Sequence, residues 1–141
     1  MAGAIRDLKL WQEAVALGAE VVRALRPANR REVKSVVEHA MATAVNVATL
    51  VTDGYAQYEA SEQHHLYAAA KRELLRLETE LALARRAELL SAANDAQLAT
   101  RAQSVARLLA GYLAYLDRQL ADQRPAPAPG AQVAGVRERK S

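Results

Sequence analysis

The chain has 141 residues, which suits one domain, and it contains no cysteine, which excludes disulfide staples and thiolate metal sites. Nineteen Lys/Arg against sixteen Asp/Glu leave a net charge of +3, far from the dense positive charge of a dedicated nucleic-acid binder. Arg6, Asp7 and Lys9 interrupt the N-terminus before any apolar run of signal-peptide length, and no segment reaches the ~18–20 apolar residues of a membrane span, so a soluble, cytoplasmic protein is expected.

The first helix is predicted from about Asp7 to Arg26, with Asp7 as its N-cap. Leu8, Trp11, Val15, Gly18, Val22 and Leu25 form one apolar stripe, and Leu10, Ala14, Leu17 and Val21 a second beside it. A face that wide suits a bundle helix with more than one neighbour. Pro27 ends the helix, because proline lacks the donor and disfavours helix in the residue before it. Asn29 followed by Glu32 reads as a capping box across a short connection.

The second helix is predicted to run to about Tyr55. Val33, Val37, Ala40, Ala44, Val47, Val51 and Tyr55 keep helical spacing, which outweighs the β-branched content of Val45–Thr52. The thirteen residues Ala40–Thr52 carry no charge. The other side of this helix is His39, Thr43, Asn46 and Leu50, a face expected to be covered by a neighbouring subunit. Asp53-Gly54 is a breaker signal.

The third helix starts within Glu59–Ser61, with Ser61 as a cap, and runs to about Arg86. Tyr67, Ala70, Leu74, Leu77, Leu81 and Ala84 form its core stripe. Lys71, Arg72, Glu73, Arg76, Glu78 and Glu80 alternate in sign on its outer face, as helix-supporting pairs do. A loop at about 87–90 leads to Ser91, the expected N-cap of a fourth helix running to about Gln123 with Leu98, Ala102, Val105, Leu109, Tyr112, Leu116 and Leu120 inward. The bundle is assigned residues 1–124. From residue 125 the composition turns to Pro, Ala and Gly with a basic end, Arg137 to Lys140, and a disordered tail 125–141 is expected. Four amphipathic helices with short connections give an all-α, antiparallel up-and-down four-helix bundle.

The run Ile5–Leu17 resembles the opening of the four-helix bundle proteins encoded in intervening sequences of bacterial large-subunit ribosomal RNA genes. The family opens with an aromatic residue and then Asp-Leu-x-Val-Trp-Gln; here Asp7, Leu8, Leu10, Trp11 and Gln12 match, with Ile5 in the aromatic's place. A second run, Leu74 to Leu81, matches at Leu77, Glu78, Thr79 and Leu81, and Asp53-Gly54-Tyr55 matches an acidic-Gly-aromatic step. The resemblance implies a homo-oligomer, typically a pentameric ring. It also implies a distant similarity to the accessory variability protein of diversity-generating retroelements, which binds nucleic acid and a reverse transcriptase. The family's second helix typically carries a basic pair, then Ser-Ile-Pro and Asn. Here those places read Met41, Ala42, Asn46, Val47, Ala48 and Leu50, and no Lys or Arg occurs from Val36 to Tyr58.

Little in the chain carries chemistry. Glu62 and His65 make one E-x-x-H, where a di-iron bundle needs two plus further carboxylates; no metal and no cofactor are expected. Ser61 and Ser91 lack a partnered His and acid, and the six glycines form no phosphate loop, so no enzyme is expected. The densest basic group is Arg23, Arg26, Arg30, Arg31 and Lys34 at the first turn, with Arg85 and Arg86 ending the third helix. Beside a role as solvated charge or as helix C-terminal complement, these are the candidates for contact to RNA or DNA phosphates, without sequence specificity. The expectation is a non-enzymatic, homo-oligomeric accessory factor associated with nucleic acid or ribonucleoprotein, with a protein-interaction scaffold as the alternative.

Overall fold

The structure is a computed structural model that describes residues 4–123; the expected tail 125–141 lies outside them. Four α-helices follow one another: α1 (Lys9–Leu25), α2 (Lys34–Tyr55), α3 (Ala60–Arg86) and α4 (Ala92–Gln123). Each packs on its chain neighbours and α1 closes against α4, which makes the up-and-down bundle. The described residues contain no strand, and no helix among them is long and apolar enough to cross a membrane.

One apolar stripe per helix fills the centre. Val37, Ala40, Ala44, Val47 and Val51 from α2 meet Tyr67, Ala70, Leu74, Leu77, Leu81 and Ala84 from α3, with Leu98, Ala102, Val105, Leu109 and Leu116 from α4. Burial of a large aliphatic side chain contributes about 1.5–3 kcal/mol, so these stripes carry most of the stability. On α1 the core stripe is the second of the two, Leu10, Ala14, Leu17 and Val21, joined by Leu25. The Trp11–Val22 stripe lies beside α2 and stays partly exposed, with Val15 at 39 %.

Three expected caps do not form, because each helix starts at another residue. Asp7 lies in a 3-10 turn, Ile5–Asp7, so α1 begins later with Leu8 at its N-cap. A second such turn, Arg31–Val33, feeds directly into α2, which moves the start beyond reach of Asn29 and Glu32. At α3 the chain turns at Glu59, and Ser61 is already inside the helix. None of the three helices has a side-chain cap at its N-terminus. Ser91 does cap α4: its Oγ accepts the amide of Asn94 at 3.1 Å.

Two turns set the helix ends. Pro27 sits in a 3-10 turn, Arg26–Ala28, directly after α1. α3 ends in a Schellman motif, in which the Leu89 amide donates to the Ala84 carbonyl at 2.9 Å and the Glu88 amide to that of Arg85 at 3.2 Å. The residue in the left-handed position is Glu88, at φ 65°, where glycine is usual.

Gly54 does not break α2, which continues to Tyr55. Its role is space. A Cβ on Gly54 would lie 2.6 Å from Cε1 and 2.7 Å from Cδ1 of the buried Tyr67 ring. The Tyr67 ring also meets that of Tyr112 at 5.8 Å with a 52° tilt, within the range of favourable aromatic pairs. Burial pushes the Tyr67 hydroxyl up to about 12, with neighbouring Tyr112 and Tyr55 adding to the shift.

Candidate nucleic-acid interface

The up-and-down order carries the α1–α2 turn and the α3–α4 turn to the same end of the bundle. Arg23, Arg26, Arg30, Arg31 and Lys34 therefore share that end with Arg85 and Arg86, and all seven are exposed. The segments 23–34 and 85–91 contain only two carboxylates against these seven cations, Glu32 and Glu88. Only Lys34 of the seven has an acidic partner within 4 Å among the described residues, Glu38 at 3.9 Å. Six guanidinium groups thus stand free at one end, and like charges so placed sum their field.

The other end has the opposite character. The only Trp and all five Tyr lie there: Trp11 at the start of α1, Tyr55 and Tyr58 at the end of α2, Tyr67 near the start of α3, and Tyr112 and Tyr115 late in α4. His64 of α3 contacts Asp117 of α4 there at 2.9 Å. No aromatic platform for base stacking is therefore near the basic end, and contacts made there would go to phosphates.

The residues expected at a subunit interface separate. Thr43 is buried within this one chain, 3 % exposed, with its Oγ donating to the His39 carbonyl at 3.0 Å. Leu50 is half-buried against the core. His39 and Asn46 are exposed and turn towards α3: His39 Nδ1 lies 3.2 Å from Glu80 Oε2, and Asn46 Nδ2 donates to Glu73 Oε1 at 3.4 Å. The chain's own α3 thus covers much of the face assigned to a neighbour. The outward face of α2 instead centres on Val45, at 52 % exposure. Glu73 and Glu80 are therefore committed across helices, and only Arg76–Glu73, at 3.9 Å, forms an ion pair along α3.

One constellation has no counterpart in the sequence reading. Arg101 of α4 reaches across to α1, where Nε and Nη2 donate to Glu20 Oε2 at 3.0 and 2.7 Å and Nη1 to Glu13 Oε1 at 3.0 Å. The two carboxylate side chains are only 12 % and 10 % exposed. Hydrogen bonding from Arg101 holds the Glu13 carboxyl below the usual range, against the desolvation that would raise it. The same bonds, those donated to Glu20 first, raise Arg101 still further. Residues 81 and 88 positions apart make this group, and no spacing rule could find it.

His65 is exposed near the start of α3, and among the described residues no three His, Cys, Asp or Glu side chains gather where they could hold a metal ion.

Fold and surface define a class: a small, all-helical up-and-down bundle with a basic end. Its sequence places it more closely. The profile of the 23S rRNA-intervening sequence protein family matches residues 6–111, most of the chain, and the chain belongs to that family. No curated protein and no solved structure matches it.

Proposed function

We propose that this protein is a non-enzymatic accessory factor that binds RNA or DNA through backbone phosphates at the Arg23–Lys34/Arg85–Arg86 end. The observation that carries the reading is the gathering of six unpaired guanidinium groups from two turns at one end of the bundle. Arginine forks match phosphate geometry, and nothing nearby reads bases. The test is binding of a labelled single-stranded RNA across a salt series. If four to six phosphates are neutralised, the logarithm of affinity falls with the logarithm of salt at a slope of about −3 to −4, taking ~0.7 per contact. No binding at low salt would refute the reading.

We further propose that the chain self-associates, as the family resemblance implies, through the uncharged outer surface of α1 and α2. Trp11, Val15 and Val22 line the α1 side of that groove, whose helices approach closely where Gly18 faces the Ala44 carbonyl. Val45 continues the surface outward on α2. The same surface favours the scaffold reading, in which its partner is another protein. Sedimentation of the wild type and of Val45→Arg separates these outcomes: a shift to monomer in the variant supports self-association, and a monomeric wild type contradicts it.

A further inference from the structure

We infer that the nucleic-acid path does not stop at the basic end but enters the furrow between α2 and α3, where Arg31, Lys34, Arg76 and Arg72 hold consecutive phosphates of a single strand. This rests on the binding proposed above and adds where the strand goes.

The four grooves of the bundle differ in what they offer a polyanion. The α1–α4 groove is occupied by the Arg101–Glu13–Glu20 group, whose one cation is already shared between two carboxylates. The α1–α2 groove has only apolar side chains at Val15, Val22 and Val45, and at its far end Arg6 lies over the Trp11 ring at 5.7 Å. The α3–α4 groove sets two carboxylates, Glu78 and Asp95, beside Arg85 and Arg86, so its lining carries no excess positive charge although no ion pair forms there. The α2–α3 furrow alone continues positive charge away from the end. Its upper part, about 560 Å³, is lined by Arg31, Lys34, His39, Asn46 and Arg76 together with Glu38. Its lower part, about 430 Å³, shares Asn46 and Arg76 and adds Thr49 and Arg72 with Glu73. The two parts form one channel of about 22 Å from Lys34 to Thr49, at 1.5 Å per helical residue.

The chemistry of the walls fits a phosphodiester backbone. Four Lys/Arg side chains face three carboxylates: Glu80 is taken up by His39 at 3.2 Å, and Glu38 and Glu73 hold their cations loosely, at 3.9 Å for Lys34–Glu38 and for Arg76–Glu73. An incoming phosphate would displace such exposed pairs at little expense, because exposed ion pairs contribute only ~0–1 kcal/mol. Between the cations lie Ser35, whose hydroxyl can donate to a phosphate oxygen, and Asn46, which keeps one N–H beside the one that it gives to Glu73. The absence of Lys and Arg from α2 between Val36 and Tyr58 does not empty the furrow of charge, because α3 supplies it through Arg72 and Arg76.

The test compares a uniform single-stranded RNA 15-mer and a 4-mer, each labelled with fluorescein, by anisotropy on the full chain. Arg72→Ser/Arg76→Ser is expected to weaken 15-mer binding about five- to tenfold and to flatten its salt slope by about 1.4, two contacts at ~0.7 each. The 4-mer, held at the end, should lose little. Glu38→Gln/Glu73→Gln should tighten the 15-mer severalfold, a gain that misfolding cannot mimic. Lys71→Ser/Arg107→Ser removes equal charge elsewhere and should leave the ratio of the two affinities unchanged. If the wild type binds RNA but the Arg72/Arg76 variant binds both lengths like the wild type, or no differently from the Lys71/Arg107 control, the furrow is not the path. If the wild type binds neither RNA, the function proposed above fails and the furrow inference with it.

Discussion

Replacing Arg101 by alanine removes the cation that joins two carboxylates, buried Glu20 and largely covered Glu13. Breaking a buried pair from one side typically costs about 3–5 kcal/mol, because a desolvated charge is left without a partner. Two features reduce that figure here: Arg101 is itself 34 % exposed, and Glu13 keeps Lys9 at 3.4 Å. A loss of about 2–3 kcal/mol at pH 7 is therefore expected, or roughly 8–12 °C in melting temperature for a chain of this size. Glu20 is the more sensitive carboxylate, since its Oε1 is already buried without a hydrogen-bond partner. The pH dependence has a definite sign. The folded-state carboxyl of Glu13 is depressed, so its stabilisation is fully present above the ordinary glutamate range, about 4.3, and is lost as pH falls through the lower folded value. Wild type and variant should therefore differ most near neutrality and converge in acid. Replacing the whole group, Glu13→Leu/Glu20→Leu/Arg101→Met, should restore stability or exceed the wild type. Urea melts from pH 3 to pH 7 measure all of this. A loss below ~0.5 kcal/mol at pH 7 for Arg101→Ala, comparable to an exposed pair, would refute the reasoning.

Other substitutions test other joints of the fold. Gly54→Ala should destabilise by about 1–3 kcal/mol through overpacking against the Tyr67 ring, although alanine is the better helix former; a rise in melting temperature would contradict the close approach. Glu88→Gly should stabilise by about 1 kcal/mol, by relieving a left-handed residue with a side chain, and should also tighten RNA binding by removing a carboxylate from the basic end. Ser91→Ala should cost about 1 kcal/mol, with hydrogen exchange rising first in the opening turn of α4. Between about pH 10 and pH 12 stability should fall, because Tyr67 ionises in the unfolded chain before it does in the folded one, visible as a falling thermal midpoint across that range.

The architecture was legible where apolar periodicity is unambiguous. On α2, α3 and α4 the stripes read from spacing are nearly the buried sets, with Val33, Tyr55, Tyr112 and Leu120 half-buried at the margins. On α1 two adjacent stripes were available, and only packing against α2 and α4 decides that Leu10–Val21 goes inward. Capping residues were legible at Ser91 but misleading at Asp7, Asn29 and Ser61. A 3-10 turn before α1 and α2, and the turn at Glu59 before α3, shift each start by one or more residues and leave the side chain at the wrong position. The basic residues were individually visible in the sequence, and their gathering follows from the up-and-down order alone. The Arg101 group and the turning of Glu73 and Glu80 towards α2 were not visible, since each depends on a partner 27 to 88 positions distant.

In the proposed function the arginine end, rather than the small net charge, binds nucleic acid. Two variants that lose three charges each distinguish the two: Arg30→Ser/Arg31→Ser/Arg85→Ser at the end, and Lys71→Ser/Arg107→Ser/Arg118→Ser on the helices. Both are exposed sites where serine should leave the fold intact. Single-stranded RNA binding at 50 mM salt is expected to fall at least tenfold for the first and less than twofold for the second. Equal losses in the two variants would contradict the account.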